Sequence, residues 1–239
     1  MKIARELLGK YVFTNINGIV TGGIITETEA YNGEIDKASH SYGGRRTART
    51  EIMYADGGIA YVYLCYGIHS LLNVVTNKKE IPHAILIRSI YPVEGIDEMI
   101  RRRRKPNLVI EKLCTGPGTV SQALGIHYND SGKKLTGNEI WIEDRKLKIP
   151  SKNITIGPRI GVDYAGKDAF LPYRFCAKVR AKNQEPRAKN QEPRAKNQEP
   201  RAKNQEPRTK NQEPRAKSKE PRTKNQGQRA KSKEQRIKN

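Results

Sequence analysis

The chain is poor in the residues that staple, anchor or metallate a protein. Its 239 residues include only three cysteines, Cys65, Cys114 and Cys176, which lie far apart and without metal-ligand spacing. An odd, scattered set excludes a disulfide framework and suits a reducing compartment. The four histidines (His40, His69, His83, His127) form no ligand pair, so no metal is expected. Gly116-Pro117-Gly118 lacks the lysine and the length of a P-loop, and no cofactor motif is present. No run approaches the roughly 20 apolar residues that span a bilayer, and the N-terminus has no signal-type apolar core. No membrane partner is expected. The chain reads as soluble and intracellular, either cytoplasmic or, in a bacterium, nucleoid-associated.

Aromatic residues are scarce with one exception, since 1 Trp and 3 Phe stand against 11 Tyr. Tyrosine joins a stacking face to a polar tip, which suits a wet site. Positive charge is abundant, with 46 Lys and Arg against 25 Asp and Glu and a net charge of +21. Residues 181–236 are eight consecutive seven-residue units, beginning with four identical copies of Ala-Lys-Asn-Gln-Glu-Pro-Arg. A heptad coil needs two apolar positions per unit. Here one Ala or Thr is all there is, and most units carry a helix-breaking proline. Residues 181–239 are therefore expected to be a disordered, solvated tail. The tail holds 19 Lys and Arg against 7 Asp and Glu, or +12, which leaves +9 on residues 1–180. Both parts are basic, which favours a polyanionic partner, although many soluble basic proteins bind nothing specific.

Residues 1–180 are long enough for one domain with its own core. Residues 2–9 predict a short helix closed by Gly9. Residues 11–14 and 19–31 predict strands around an Asn17-Gly18 turn. Residues 32–58 are polar, Gly-rich and Arg-rich, and predict a long surface loop with room for a short helix, a length that usually marks function or mobility. Strands are expected at 59–66, 71–76 and 84–91, helices at 95–105 and 120–124, and a hairpin at 134–145 through Gly137-Asn138. Strands outnumber long helices, so the fold class is α+β, a single domain with a mostly antiparallel sheet rather than a doubly wound one.

The chemistry is concentrated between Glu27 and Asn73, where two carboxylates, a histidine, a tyrosine cluster and an asparagine sit among β-type sequence. Such a set can grip a flat, unpaired base and activate a water beside it. Strand alternation places Ile25, Glu27, Glu29 and Tyr31 on one face, with the carboxylates about 7 Å apart. That spacing fits a glycosidase acid/base pair or a solvated edge. Tyr61, Tyr63 and Cys65 share one face of the next strand, as core packing or as a ligand wall. His40 lies among small polar residues, as a loop hydrogen-bonding group or a site residue. Arg45, Arg46 and Arg49 could meet phosphates or water.

Taken in order, these residues resemble the alkyladenine (3-methyladenine) DNA glycosylase family. The likeness runs from Ala4-Arg-Glu-Leu-Leu-Gly9 through residues 27–31, Ser39-His-Ser41, residues 61–67, Leu71-Leu-Asn73 and residues 85–88. It continues in Thr115-Gly-Pro-Gly118, Gln122-Ala-Leu-Gly125, Arg159-Ile-Gly161, Asp163-Tyr-Ala-Gly166 and Pro172-Tyr-Arg-Phe175. Each piece is short, and the ordered set is specific. The resemblance implies a curved antiparallel sheet, short helices, no metal and no cofactor. It implies Glu29 as the general base that activates a water toward C1′ of a flipped nucleotide, and Arg88 as the group that orients that water. Tyr31, His40 and Tyr63 would sandwich the base, Asn73 would oppose the exocyclic amine of guanine, and Tyr66 would wedge into the duplex. The partner would be double-stranded DNA containing damaged purines, bound by a monomer. No lysine is placed as a nucleophile, so hydrolysis to an abasic site without strand cleavage is expected.

The sequence departs from the family's pattern in three places. The chain begins almost at the Ala-Arg-x-Leu-Leu-Gly motif, so an N-terminal segment usual in relatives is expected to be short or missing. Thr119 replaces a common lysine, and Tyr173 stands where tryptophan or leucine is usual. Two other readings remain at this point. One is a non-catalytic nucleic-acid-binding protein that keeps the fold, against which the intact Glu29, Arg88, His40 and tyrosine set argues. The other is a Glu27/Glu29 hydrolase of free carbohydrate, which the cationic surface disfavours.

Overall fold

The computed structural model describes residues 1–179. The repeat and its expected disorder lie outside the described residues. The chain runs through α1 (Lys2–Glu6), β1 (Tyr11–Ile16), β2 (Ile19–Tyr31), β3 (Ala60–Cys65), β4 (His69–Thr76) and β5 (His83–Glu94). It continues with α2 (Ile96–Arg103), α3 (Pro117–Leu124), β6 (Ile140–Glu143), β7 (Ile154–Gly157) and β8 (Arg174–Ala177). The fold is α+β, with a curled antiparallel half-barrel sheet and few short helices.

The strand order is β3-β4-β5-β2-β1-β6, and β8 joins β2 and carries β7. Every pairing is antiparallel. The β1–β2 hairpin closes through Asn17 and Gly18, both at positive φ (54° and 80°), as a turn matched to strand twist requires. One face of the sheet presents Val12, Ile25, Leu72, Val74, Ile85 and Ile87 to Ala4, Leu7 and Leu8 near α1 and to Val120, Ala123 and Leu124 of α3. Pro117 opens α3, and Gly125 at φ 73° closes it. The buried Thr14 hydroxyl donates to the Leu124 carbonyl at 2.6 Å, satisfying an acceptor at the helix end.

β2 positions the site because its outer edge is shared. β1 pairs with Ile19–Ile24, while β8 pairs with Glu27–Glu29. Between the two, the pairing with β5 slips, from Ile25 opposite Ile90 to Glu27 opposite Ser89 and then Thr28 opposite Ile87. Such irregularities re-aim side chains. Ile25 therefore faces the core together with Ala30, rather than sharing a face with Glu29 and Tyr31 as unbroken alternation predicts.

Residues 32–58 form an irregular segment whose residues 42–49 are all exposed, as a surface loop predicts, but part of it folds inward. They contain three 3-10 turns and bury Ala38, Ser39, Ser41, Met53 and Tyr54. Asp36 organises the start of this segment by accepting from the backbone N–H groups of Asn32 and Ala38. Residues 134–145 form the expected hairpin through Gly137-Asn138, with Thr136 bridged to Trp141 and the Ile142 N–H donating to Leu135 O at 2.9 Å, and its second strand, β6, also extends the sheet on β1. A turn signal identifies where a chain reverses but not which strand edge takes it up.

Candidate active site

Glu29 lies on β2 beyond the slip and is 0% exposed. Its Oε1 accepts from the Ile160 backbone N–H at 2.8 Å. Its Oε2 accepts from the Tyr31 hydroxyl at 3.0 Å and from Arg88 Nη1 at 3.4 Å. Arg88 comes from β5, where it has no register partner. Its Nε donates to Glu27 Oε1 at 3.1 Å, and Arg174 Nη1 of β8 donates to the same oxygen at 3.1 Å. The two carboxylates are thus bridged by one guanidinium, and the solvated-edge reading of Glu27-Thr28-Glu29 does not hold. Burial pushes the Glu29 carboxyl above its ordinary range, against the pull of Arg88, the Ile160 N–H and Tyr31. Proximity of Arg88 alone predicts the opposite direction. Desolvation wins because the carboxylate has no solvent contact.

In front of this group is a cavity of about 320 Å³. Tyr31, His40, Tyr61, Tyr63, Asn73 and Arg88 line it. Glu29 is not part of the wall. It stands immediately behind, held by three lining residues, Tyr31, Arg88 and Ile160. The His40 ring packs edge-on against Tyr63 at 4.6 Å, and Tyr61 stacks on Tyr63 at 5.5 Å. His40 Nδ1 shares a 2.7 Å hydrogen bond with the Tyr61 hydroxyl. Burial, with Arg49 and Arg45 nearby, lowers the His40 pKa to about 4, so its ring is neutral at physiological pH. The Tyr61 hydroxyl is pushed up to about 12 by burial and is equally neutral. Both amide hydrogens of Asn73 are committed, to Tyr61 O at 3.1 Å and Leu71 O at 3.2 Å, which fixes its orientation.

Tyr66 lies at the mouth of the cavity, in the β3–β4 turn at φ 51°, and is 90% exposed. A large apolar ring held out by a strained backbone is costly unless something receives it. Every residue that the resemblance singled out is therefore brought to one place: Glu29 and Arg88 behind the cavity, Tyr31, His40, Tyr63 and Asn73 around it, and Tyr66 at its lip.

Sequence reasoning missed six participants. Tyr61 was seen on the right strand face but without a partner. The Ile160 N–H has no side-chain signature. Tyr164 lines the mouth and donates its hydroxyl to Ala38 O at 3.2 Å. Arg174 holds Glu27. Arg159 and Asp36 form a buried bidentate pair behind Tyr31. Arg159, Tyr164 and Arg174 lie inside motifs that carried the resemblance, which was the one signal available.

A curled antiparallel sheet with a buried carboxylate behind an aromatic cavity, on a basic surface, is the architecture of an enzyme that works on a nucleic-acid base. The sequence profile of the methylpurine-DNA glycosylases matches residues 1–181, and the chain belongs to that family. It is 48% identical over 178 residues to a candidate 3-methyladenine DNA glycosylase of Chlamydia felis, covering 74% of this chain and 90% of that protein. It is 43% identical over 183 residues to one of Clostridium perfringens, covering 74% and 89%. It is 42% identical over 182 residues to one of Bacillus cereus, covering 73% and 89%. The family is one of hydrolases that act on N-glycosidic bonds in DNA.

Proposed function

We propose that the protein is a monofunctional glycosylase that extrudes alkylated or deaminated purines from duplex DNA, acting as a monomer, and hydrolyses their N-glycosidic bond. The observation that carries this is the Glu29 carboxylate, wholly buried yet hydrogen-bonded by three residues that line a tyrosine-walled cavity. A base seated between Tyr31 on one side and His40 and Tyr63 on the other brings C1′ toward Arg88. Extrusion costs a few kcal/mol, least for a weakly paired lesion. Stacking on aromatics returns about 1–3 kcal/mol per base. The near balance selects damaged bases before any bond breaks.

Of the bonds to Glu29, the one from Arg88 is the longest, and Arg88 is anchored independently on Glu27. Nη1 can release Oε2 and hold a water between them while Nε keeps its place. Glu29 takes a proton from that water as its oxygen forms a bond to C1′ and the C1′–N bond breaks. The electron pair leaves with the base. For 3-methyladenine the leaving base starts as a cation and departs neutral; a neutral lesion must gain a proton as it leaves. The raised basicity of a desolvated carboxylate serves this step. No lysine lines the cavity among the described residues, in keeping with hydrolysis to an abasic site without strand cleavage.

The test is release of 3-methyladenine, hypoxanthine and ethenoadenine from duplex DNA by wild type beside Glu29→Gln. Release by wild type and its near-complete loss in the variant is the expected result. An active variant would remove Glu29 as the base. DNA binding without release by either protein would leave only a binding module.

A further inference from the structure

Arg159 is 5% exposed and takes no part in the cavity wall. Its guanidinium meets both oxygens of Asp36, with Nη2 at 2.9 Å from Oδ1, and also donates to Ala30 O at 3.1 Å and Asp168 O at 3.0 Å. It thereby ties together the end of β2, the segment leading to His40 and the 3-10 segment Asp163–Phe170. More unusually, the guanidinium carbon lies 4.9 Å from the centroid of the Tyr31 ring and 5.1 Å from that of Tyr173. Tyr31 lines the cavity and Arg159 does not, so the cation occupies the face of Tyr31 turned away from the cavity. On the opposite wall no such cation lies over the Tyr63 ring among the described residues, while the charges of Arg49 and Arg45 act on His40.

A tyrosine ring attracts a cation through the negative charge of its π faces. With a guanidinium already on one face, π density is drawn toward it, and a second cation on the other face meets less attraction and direct repulsion across the ring. A neutral base, which stacks by dispersion and desolvation, is affected far less. We propose that Arg159 is a specificity-determining positioning residue, whose charge behind Tyr31 restrains the preference of the site for cationic over neutral bases. The proposal rests on the excision reading above. Asp36 moderates the effect, because its carboxylate offsets part of the charge that Tyr31 feels.

The test is the ratio of single-turnover excision rates for 3-methyladenine, a cation, and hypoxanthine, a neutral base, in the same duplex. Arg159→Met combined with Asp36→Asn removes both charges while leaving an acceptor for the Ala38 N–H. That variant is expected to raise the ratio by about threefold or more, the scale of one modest cation–π contact. Asp36→Asn alone leaves the cation uncompensated and is expected to lower the ratio. Arg159→Lys keeps the charge and loses the fork, so its rates fall with the ratio unchanged. If the double variant does not fold, the two single variants carry the test, Asp36→Asn by lowering the ratio and Arg159→Lys by leaving it unchanged. Equal loss for both lesions in every variant, or a Lys variant that shifts the ratio as the neutral pair does, would overturn the proposal. A wild type that releases neither base would remove the excision reading, and the inference with it. A wild type that releases both while the ratio stays fixed would remove the inference alone.

Discussion

A carboxylate without solvent contact is driven toward its neutral form, and Arg88 is the largest of the influences that pull Glu29 back. The proposed role as base needs the ionised form, so activity should rise with pH through the raised Glu29 pKa and fall below it. His40 is driven the other way, down to about 4, so the acid limb is assigned by its response to Tyr31→Phe, which touches Glu29. Tyr31→Phe removes a hydrogen bond that lowers the Glu29 pKa, and pH–rate profiles should show the acid limb moved to higher pH. Glu29→Gln should cost about 10²–10⁴ in single-turnover rate, the usual worth of a general base. Stability should move the other way. An acid whose folded pKa lies above the ordinary value binds more protons when folded, so ionising it destabilises the fold as pH rises through that window. Glu29→Gln should melt above wild type at pH 8, and the gap should close as pH falls below 4.5, the ordinary glutamate value. A lower Tm for the variant at pH 8 would mean that Arg88 outweighs burial. The candidate site residues were legible in the sequence because they fall in an ordered set of motifs. Their burial was not, since Glu27-Thr28-Glu29 reads equally as a solvated strand edge.

At the scale of elements, the slip between β2 and β5 decides the site. Without it, Ile25 and Glu29 would share a face, and either the core or the carboxylate would be misplaced. Nothing in Ile25-Thr26-Glu27 announces a slip, because it arises where β1 ends and β8 begins on the same edge, and β8 lies over 140 residues downstream. The β1–β2 hairpin, by contrast, was legible, because Asn17-Gly18 sets turn and register locally. The same contrast explains β6, whose partner is set by tertiary packing rather than by its own turn. Gly95 offers a test of local necessity. It precedes α2 at φ 67°, and a Cβ there would lie 2.3 Å from the Val20 carbonyl oxygen. Gly95→Ala should lower unfolding stability by about 1–3 kcal/mol in denaturant titration, as overpacked sites do. The β3–β4 turn is the opposite case. Tyr66→Ala removes an exposed ring, so Tm should hold, while excision from duplex DNA should fall more than excision from single strands if the ring fills the space left by an extruded nucleotide. Equal losses on both substrates would assign Tyr66 to the cavity instead.

For the whole molecule, charge is the remaining variable. Every site residue named above lies within residues 1–179, and the repeat carries +12 of the net +21. We propose that the repeat adds sequence-independent phosphate contacts that keep the enzyme near DNA. Each phosphate neutralised steepens the fall of log K with log salt by about 0.9 on duplex DNA. The full chain should therefore show a steeper salt dependence of duplex binding than residues 1–180, and a higher affinity in dilute salt. Single-turnover excision at saturating enzyme should be the same for both, because tethering changes encounter and not the bond-breaking step. Equal salt slopes would mean that the repeat touches no phosphate, leaving it as a tolerated expansion of a repetitive coding segment. A slower chemical step in the shorter chain would mean that the repeat reaches the site itself. Separating slope from rate is what distinguishes a tether from a part of the active centre.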